Sequence, residues 1–389
     1  MQFSLPPPVS TALSLLEGGG YEAYLVGGCV RDMLRGSVPN DFDMTTNARP
    51  EEILSVFRNF RTIETGMRHG TVTVLLDGMP LEITTYRVDG EYLDHRRPAS
   101  VTFTASLYED LSRRDFTVNA VAYHPGHGLL DPFGGQDDLA AGVIRAVGEP
   151  EVRFTEDALR ILRALRFAAR LGFSIEEETA RAARALAPTL REIAAERVRE
   201  ELFGFLMADH AAEVFRQYGD ILFCVVPEAN SAPLLSELPQ VLPLRLAEFL
   251  LPCEDAGAAA VLQRLRADNQ TVHSVCAVLR VYSSHLSADH AGACRLLRRI
   301  PRDAITMALL LRRIHKTEDR AVTEMIDQIL SSGDCYRIDM LAINGRDLIA
   351  LGIPPGPGLG AALERAYEAV IECRVPNEKE ALLAFLFET

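Results

Sequence analysis

The chain has 389 residues, of which 48% are hydrophobic and 24% are charged, and its formal net charge is −14. This length allows two to four globular domains, and the acidic balance disfavours nucleic-acid binding unless arginines gather on one local face. No apolar run approaches the roughly 20 residues that a membrane span requires, and the N-terminus lacks the basic start and apolar core of a signal peptide.

The seven cysteines include no Cys-x-x-Cys pair. Their spacing argues against a structural zinc site or a disulfide framework and favours a reducing compartment. We therefore expect a cytoplasmic protein whose cysteines are small, buried hydrophobic residues.

Residues 24–43 combine an apolar run, a glycine pair and two closely spaced acids. Residues 24–26 are predicted to form a buried strand, and Gly27 and Gly28 a tight turn at which a phosphate could approach the backbone. Residues 30–34 are expected to begin a helix, whose free N–H groups favour anions. The alternative is a purely structural turn before an acidic loop.

Asp41 and Asp43 follow a turn at Pro39 and Asn40. Residues two apart in a strand project to the same face, so both carboxylates are expected on one side. Clustered carboxylates bind divalent metal ions. A phosphate site next to a metal site indicates nucleotide chemistry.

Further strands are predicted over residues 71–76, 81–86, 101–103 and 118–123, and a helix over 50–57. Glu82 lies in the second of these strands. It is either a solvent-facing strand residue or a third carboxylate beside the two aspartates.

Residues 113–120 join two arginines to alternating polar and apolar side chains. Arg113 and Arg114 carry guanidinium forks that match phosphate oxygens, and Asp115, Thr117 and Asn119 could hydrogen-bond a sugar. The alternation predicts a strand with its polar groups on one face. A solvated run of charges is the alternative.

Residues 155–170 predict an arginine-rich amphipathic helix that begins at Thr155. Four guanidinium groups fall on one side of it, opposite an aliphatic face: Arg160, Arg163, Arg166 and Arg170. This helix provides the local cationic face that the net charge conceals.

Asp157 and Arg160 are three residues apart and would be neighbours on that helix. One interpretation is an exposed ion pair worth about 0.3 kcal/mol. The other is a base-reading edge, in which the carboxylate accepts from an exocyclic amino group and the guanidinium donates to the adjacent ring nitrogen. Such an edge fits cytosine and adenine, whereas uracil and guanine would leave polar groups unpaired.

From about residue 137 onward, Ala, Leu, Arg and Glu at helical spacing replace the strand patterns. The sequence thus predicts an α+β domain followed by a long all-helical array, with breaks near Pro188, residues 226–233 and Pro252. A Gly/Pro-rich turn over residues 343–360 is either a plain helix connector or a backbone site for phosphate.

Three motifs together resemble the class II tRNA nucleotidyltransferases, which are the CCA-adding enzymes, and the related bacterial poly(A) polymerases. The motifs are Gly27-Gly28-x-x-Arg31-Asp32 with Asp41-x-Asp43, Arg113-Arg114-Asp115-Phe116-Thr117-x-Asn119-Ala120, and Glu156-Asp157-x-x-Arg160. Residues 196–200 also resemble the family's helical motif that supports the nucleotide pocket, and residues 345–347 resemble its bacterial tail.

The resemblance implies an α+β fold, in which a polymerase beta-like nucleotidyltransferase head with a small mixed β-sheet precedes an all-helical neck, body and tail. We expect the head at residues 1–140, the neck at 141–206, the body at 207–275 and the tail at 276–389. The implied partner is tRNA and the implied substrates are CTP and ATP. No membrane partner is expected, and the oligomeric state is left open.

The resemblance also implies residue roles. Asp41 and Asp43 would bind two Mg²⁺ ions, of which one activates the tRNA 3′-hydroxyl and the other stabilises the triphosphate, and Glu82 would be a third catalytic carboxylate. Phosphate, ribose and base would be bound by Gly27, Gly28, Arg31, Asp32, Arg113, Arg114, Asp115, Asn119, Asp157, Arg160, Arg163 and Arg166.

Two segments bear on the branch of the family. Residues 66–74 resemble the CCA-adding version of a strand pair, and residues 87–98 resemble the flexible loop of enzymes that add all three nucleotides. Both favour template-independent CCA addition to tRNA. The alternatives are A-adding or CC-adding enzymes, poly(A) polymerases and a non-catalytic RNA-binding protein, and the aspartate pair argues against the last.

Overall fold

The computed structural model describes residues 3–89, 101–229, 233–317 and 320–387. The chain forms two compact units, Met1–Pro227 and Glu228–Thr389. Their boundary falls within the break predicted over residues 226–233, and the finer division into head, neck, body and tail stays a prediction. Within the described ranges, no helix has both the length and the apolar character needed to cross a bilayer.

The first unit contains all the strands of the described residues. They are β1 (Ala23–Val26), β2 (Asp43–Thr46), β3 (Arg61–Ile63), β4 (Thr71–Leu76), β5 (Met79–Thr85), β6 (Arg87–Asp89), β7 (Val101–Phe103), β8 (Ala122–His124), β9 (Gly128–Leu130), β10 (Val143–Ile144) and β11 (Ser174–Ile175). Seven of these described strands form one mixed sheet in the order β3-β4-β5-β2-β1-β8-β9. The strands β2 and β5 are parallel, and their register places Asp43 opposite Glu82.

The helices of the first unit surround this sheet and then continue as a helical array. They are α1 (Pro7–Gly18), α2 (Gly28–Leu34), α3 (Pro50–Val56), α4 (Leu107–Ser112), α5 (Gly135–Ala141), α6 (Pro150–Glu156), α7 (Leu159–Leu171), α8 (Glu177–Leu186), α9 (Ala195–Leu206) and α10 (Ala211–Val225). The predicted change from a mixed region to a helical region is confirmed.

Strand β1 is buried on both faces because helices cover the sheet from both sides. Leu25 belongs to a core that includes Leu13 of α1 and Ile53 of α3, whereas Tyr24 and Val26 pack in a second cluster with Leu111 of α4. This double burial fixes the end of β1, and hence the turn that follows it.

In the second unit, every regular element among the described residues is a helix. Its helices are α11 (Leu242–Phe249), α12 (Glu254–Arg264), α13 (Asn269–Ser283), α14 (His290–Arg299), α15 (Arg302–Ile314), α16 (Arg320–Ser332), α17 (Gly345–Ala350), α18 (Pro357–Ile371) and α19 (Lys379–Phe387). The predicted turn over residues 343–360 is wrong in its first part, because Asn344 caps the short helix α17.

Two predicted elements near these motifs also differ from the structure. The helix predicted from Thr155 is divided at Asp157, which has extended backbone angles and whose carboxylate accepts a hydrogen bond from the Leu159 N–H, at the first residue of α7, at 3.2 Å. The strand predicted over residues 118–123 begins only at Ala122, as β8, and its first part belongs to a 3₁₀ turn over Thr117–Asn119. Local bonds from the Asp115 carboxylate to nearby N–H groups compete there with a sheet ladder.

All seven cysteines are free thiols. The prediction that all of them are buried is wrong, since Cys373 is exposed and three others are only partly covered. Cys29, at the start of α2, is buried beside the Asp43 backbone and matches the prediction.

Candidate active site

One polar cavity of about 370 Å³ collects most of the residues that the motifs single out. Its lining comprises Gly27, Gly28, Arg31, Asp32, Asn40, Asp41, Asp43, Arg114, Asp115, Asn119, Arg163, Arg166, Phe167 and Arg170. The turn after β1, the start of β2, the 3₁₀ turn and α7 all contribute. The predicted Glu82, Arg113, Asp157 and Arg160 lie outside this lining.

The turn after β1 requires glycine for two reasons. Gly27 has φ of 73°, a conformation that side chains rarely adopt. A Cβ atom at this position would also lie 3.2 Å from an Arg114 guanidinium nitrogen and 3.9 Å from an Asp43 carboxylate oxygen. The backbone therefore comes within contact distance of both the cationic and the acidic parts of the cavity.

Three carboxylates form an acidic corner at the edge of the cavity: Asp41 and Asp43 line it, whereas Glu82 lies beside Asp43 outside the lining. Burial, and then the negative charges of Asp41 and Glu82, raise the pKa of Asp43 to about 6, while Arg114 opposes the shift. Asp41 and Glu82 are exposed, and Phe42 between the two aspartates is buried. Mutual repulsion of this kind disappears when a cation binds.

This corner fits a divalent metal ion that is completed by substrate. Within the described ranges, no group of three or more His, Cys, Asp or Glu side chains is arranged to enclose a metal by itself. Mg²⁺ is usually held by one or two carboxylates together with substrate phosphates and water. Asp41 and Asp43 provide such an incomplete ligand set on the wall of a cavity.

Opposite the acids, a charged network fixes the cationic wall. Arg163 donates to one oxygen of Asp115 at 2.8 and 2.6 Å, and Asn119 donates to the other oxygen at 3.1 Å. Arg31 in turn donates to the Asn119 side chain at 2.9 Å. Although burial alone would raise the pKa of Asp115, Arg163 and Asn119 lower it to about 2.

Phe167 organises the same wall. Three guanidinium carbons lie 4.6–5.4 Å from its ring centre, those of Arg31, Arg163 and Arg166. Glu201 of α9 is buried and pairs with Arg166 and Arg163 from behind. The predicted cationic face thus exists for three of its four arginines, namely Arg163, Arg166 and Arg170, which line the cavity.

The structure separates the roles of the two consecutive arginines. Arg114 lines the cavity, whereas Arg113 directs its guanidinium to Asp110 at 2.7 and 3.0 Å. Asp32, also predicted in the nucleotide site, lines the cavity and pairs with its neighbour Arg31 at 2.9 Å.

Asp157 and Arg160 do not form the simple surface pair that one interpretation required. Asp157 receives two hydrogen bonds from Arg197 of α9, at 2.7 and 3.2 Å. Arg160 is buried, pairs with Glu156 at 2.5 Å and donates to the Arg113 carbonyl at 3.0 Å. Arg160 is therefore not on the exposed stripe predicted for it.

The sequence patterns did not identify Phe167, which lines the cavity, or Asp110 and Glu201, which pair with its arginines from outside the lining. Phe167 reads as an ordinary apolar position of an amphipathic helix, and only its position between Arg163, Arg166 and Arg170 in the sequence could have drawn attention to it. Asp110 and Glu201 carry no individual signal, although an acid three and four residues before Arg113 and Arg114 on a helix is a recognisable ion-pair spacing.

The fold and this cavity define a nucleotidyltransferase. Residues 23–145 match the family model described as "Poly A polymerase head domain". Residues 172–219 match "Probable RNA and SrmB- binding site of polymerase A", and residues 246–386 match "tRNA nucleotidyltransferase domain 2 putative". Enzymes of this class generally use divalent metal ions, in agreement with the acidic corner.

Curated relatives cover almost the whole chain. The CCA-adding enzyme of Geobacillus thermodenitrificans is 36% identical over 99% of this chain and 98% of its own length. That of Lactobacillus helveticus is 37% identical over 96% and 95%. The chain belongs to the CCA-adding enzyme family.

Solved structures agree with this assignment. The crystal structure of the Bacillus stearothermophilus CCA-adding enzyme in complex with CTP has a TM-score of 0.81 and 31% identity, and the match covers 99% of this chain and 98% of that one. The Thermotoga maritima CCA-adding enzyme complexed with tRNA shares the fold, with a TM-score of 0.71, 23% identity and coverage of 99% and 96%.

Proposed function

We propose that this chain adds CCA to the 3′ end of tRNA without a nucleic-acid template, using CTP and ATP and releasing pyrophosphate. The observation that carries the proposal is one cavity in which Asp41 and Asp43 face a wall of fixed arginines. A nucleoside triphosphate needs both parts, because metal-bound phosphates and guanidinium groups share its negative charge. The family relationship favours this substrate class over other triphosphates.

In this proposal Asp41 and Asp43 hold Mg²⁺, with Glu82 as an additional carboxylate. When bound, the metal supplies Lewis-acid stabilisation of the phosphates and lowers the pKa of the attacking hydroxyl. Gly27 and Gly28 offer backbone without side-chain obstruction, and Arg114 and Arg31 neutralise phosphate charge. Asp115 and Asn119, already fixed by Arg163, orient the ribose.

We further propose that Asp157 and Arg160 read the base. Both side chains belong to a network with Arg197 and Glu156, so reading the base requires an exchange of partners within that network. Arg160→Ala is expected to weaken discrimination of CTP and ATP against UTP. Unchanged discrimination would refute this role.

The decisive experiment uses the purified full chain, Mg²⁺ and tRNA transcripts that lack CCA, with labelled CTP in the presence or absence of ATP. Addition of two C residues followed by one ATP-dependent A is the expected result. No incorporation by the wild-type chain would overturn the enzyme proposal and favour a non-catalytic RNA-binding protein. A transcript that already ends in CCA is the matched control and should stay unextended.

The products also distinguish the related activities. Growth by two C residues that ATP cannot extend would indicate a CC-adding enzyme, and extension only of transcripts ending in CC would indicate an A-adding enzyme. Open-ended A addition to generic RNA would indicate a poly(A) polymerase. The segment 90–100, on which the sequence comparison of these branches partly depends, lies outside the described residues.

A further inference from the structure

We propose that Asp110 is a positioning residue for nucleotidyl transfer, which holds Arg114 at the phosphate end of the cavity. The inference rests on the proposed function, since it assigns the means by which one phosphate-binding group is kept in place. Asp110 itself does not line the cavity, so it acts through Arg114 and not on the substrate.

Asp110 is fully buried near the end of α4 and receives hydrogen bonds from four directions. One carboxylate oxygen accepts from Arg113 at 2.7 and 3.0 Å and from the Arg87 backbone N–H at 3.4 Å. The other accepts from Arg114 at 3.3 Å and from the Thr45 hydroxyl at 3.1 Å. A carboxylate bonded on both oxygens in this way has no rotational freedom left.

The surroundings of Asp110 favour its ionised form. Burial alone would raise the pKa of its carboxyl group, but the charges of Arg113 and Arg114 lower it. Because a buried charge is costly unless paired, the two arginines stabilise the charge of Asp110, and Asp110 in turn restricts the positions of their guanidinium groups. Arg113 provides the two-pronged contact, which leaves Arg114, a residue of the cavity lining, with a single, longer contact to Asp110 at 3.3 Å.

Arg114 is placed where triphosphate oxygens would lie. A guanidinium nitrogen is 3.2 Å from the position of a Gly27 Cβ, at the turn whose backbone a phosphate can approach. The positive charge of Arg114 also acts on Asp43. Its Nε is buried and has no hydrogen-bond partner among the described residues.

The bond from Thr45 gives Asp110 a second function in positioning. Thr45 lies two residues after Asp43 on β2 and faces away from the core at which Met44 packs. Asp110 therefore ties the strand of the metal-binding carboxylates to the arginine that approaches them. The distance between the acidic corner and the phosphate-binding cation is set by one buried carboxylate.

The test compares equilibrium binding of CTP and CMP to the full chain and to Asp110→Asn, with Mg²⁺ and again with EDTA. Asparagine keeps the size of the side chain and removes its charge. We expect CTP affinity to fall about tenfold, the equivalent of one charge-assisted contact, and CMP affinity to change less than about twofold, since CMP lacks the β- and γ-phosphates. Equal losses for CTP and CMP, or no loss for CTP, would overturn the inference.

Glu248→Gln is the matched control. Glu248 is another buried acid, which accepts hydrogen bonds from the Leu234 N–H and His315, both at 2.8 Å, in the second unit. The same chemical change is made there, so loss of a buried charge is reproduced without contact with Arg114. We expect its CTP-to-CMP affinity ratio to equal that of the wild-type chain.

A double-mutant cycle shows whether Asp110 acts through Arg114. In an Arg114→Ala background, Asp110→Asn should lower CTP affinity by less than about twofold, because the group that it positions is absent. Losses of CTP affinity that simply multiply would overturn the inference.

If Asp110→Asn does not unfold cooperatively, Thr45→Val replaces it in the test. This variant keeps the charge of Asp110 and removes one of its hydrogen bonds, and we expect a two- to fivefold loss of affinity for CTP alone. Unchanged CTP affinity in Thr45→Val would then be the contrary result.

The two proposals fail in different ways. A wild-type chain that binds neither CTP nor ATP overturns the proposed function and this inference with it. A wild-type chain that binds CTP, with Asp110→Asn binding it equally well, overturns this inference alone.

Discussion

The acidic corner and the arginine wall of the cavity shift the pKa values of their carboxyl groups in opposite directions. At the acidic corner, burial and neighbouring carboxylates raise the pKa of Asp43 to about 6, whereas on the arginine wall Arg163 and Asn119 lower that of Asp115 to about 2. The first carboxylate is destabilised by its surroundings until a cation arrives, and the second is already paired. The carboxylates proposed to bind metal are thus kept under repulsion, while the groups proposed to orient the nucleotide are fixed in advance.

The largest expected effect comes from removing the acidic corner. Asp43→Ala should lower the single-turnover rate of CMP incorporation by more than about 10³-fold, because a metal-binding carboxylate acts on the reacting phosphate, and should leave tRNA binding largely intact. Glu51→Ala, an exposed acid on α3, is the control and should keep the wild-type rate. Retention of more than a tenth of the rate by Asp43→Ala would contradict the assignment.

Removal of the paired acid should affect stability first. Asp115→Asn leaves Arg163 without its main partner, and we expect the free energy of unfolding in urea at neutral pH to fall by about 2–4 kcal/mol. The folded-state pKa of Asp115 lies below its ordinary value of 3.8, so its stabilisation is present above pH 3.8 and is lost as the pH falls toward 2. The gap between wild type and variant should therefore close over that range.

Asp339→Asn provides the comparison for Asp115, since Asp339 pairs with Arg337 on an exposed surface. Asp339→Asn should lower the free energy of unfolding at neutral pH much less than Asp115→Asn does. A gap for Asp115→Asn that persists unchanged at pH 2 would show that its charge is not the cause.

The aromatic support of the arginine wall should have a smaller effect. Phe167→Leu removes a ring shared by three guanidinium groups, and we expect a loss of about 1–2 kcal/mol in stability together with a several-fold loss of CTP affinity. Phe205→Leu, at another buried phenylalanine of the first unit, measures the loss of packing alone. Equal CTP affinities for the two variants would indicate that Phe167 is only a core residue.

The smallest expected effect is an increase in the stability of the metal-free protein. Because the pKa of Asp43 is raised, the folded metal-free protein binds more protons than the unfolded chain between pH 3.8 and about 6, and its stability falls as the pH rises through that window. Asp43→Asn should therefore stabilise the metal-free protein on the order of 1 kcal/mol at pH 8, a value reduced by solvent screening, and should have little effect near pH 4. Thermal unfolding in EDTA at both pH values measures this, and equal stability at pH 8 would rule out the repulsion.

Short-range patterns predicted much of the acidic corner. The run at 24–26, the glycine turn and the spacing of Asp41 and Asp43 each depend on neighbouring residues, so the sequence contains the whole signal. The pairing of Asp43 with Glu82 cannot be predicted from neighbouring residues, because it depends on the parallel register of β2 and β5. The sequence could only leave Glu82 undecided between two interpretations.

The arginine wall was harder to predict because side chains override local periodicity there. Helical spacing correctly grouped Arg163, Arg166 and Arg170 but also included Arg160, which is buried and donates to the Arg113 carbonyl just after the break in the helix at Asp157. Likewise, alternation over 113–120 indicated a strand, whereas the bonds of the Asp115 carboxylate produce a turn. Such competing side-chain bonds have no periodic signature.

The parallel pairing of β2 with β5 leads to an expectation about how the seven-stranded sheet folds. Strands β4 and β5 form a local hairpin, whereas β2 and β5 are joined through α3, β3 and β4 and pay a larger loop-closure cost. Glu82 comes beside Asp43 only when the hairpin docks on β2, so carboxylate repulsion opposes that late step and not the hairpin. We therefore expect divalent cations to accelerate the docking of the hairpin on β2 without changing the rate at which the hairpin forms.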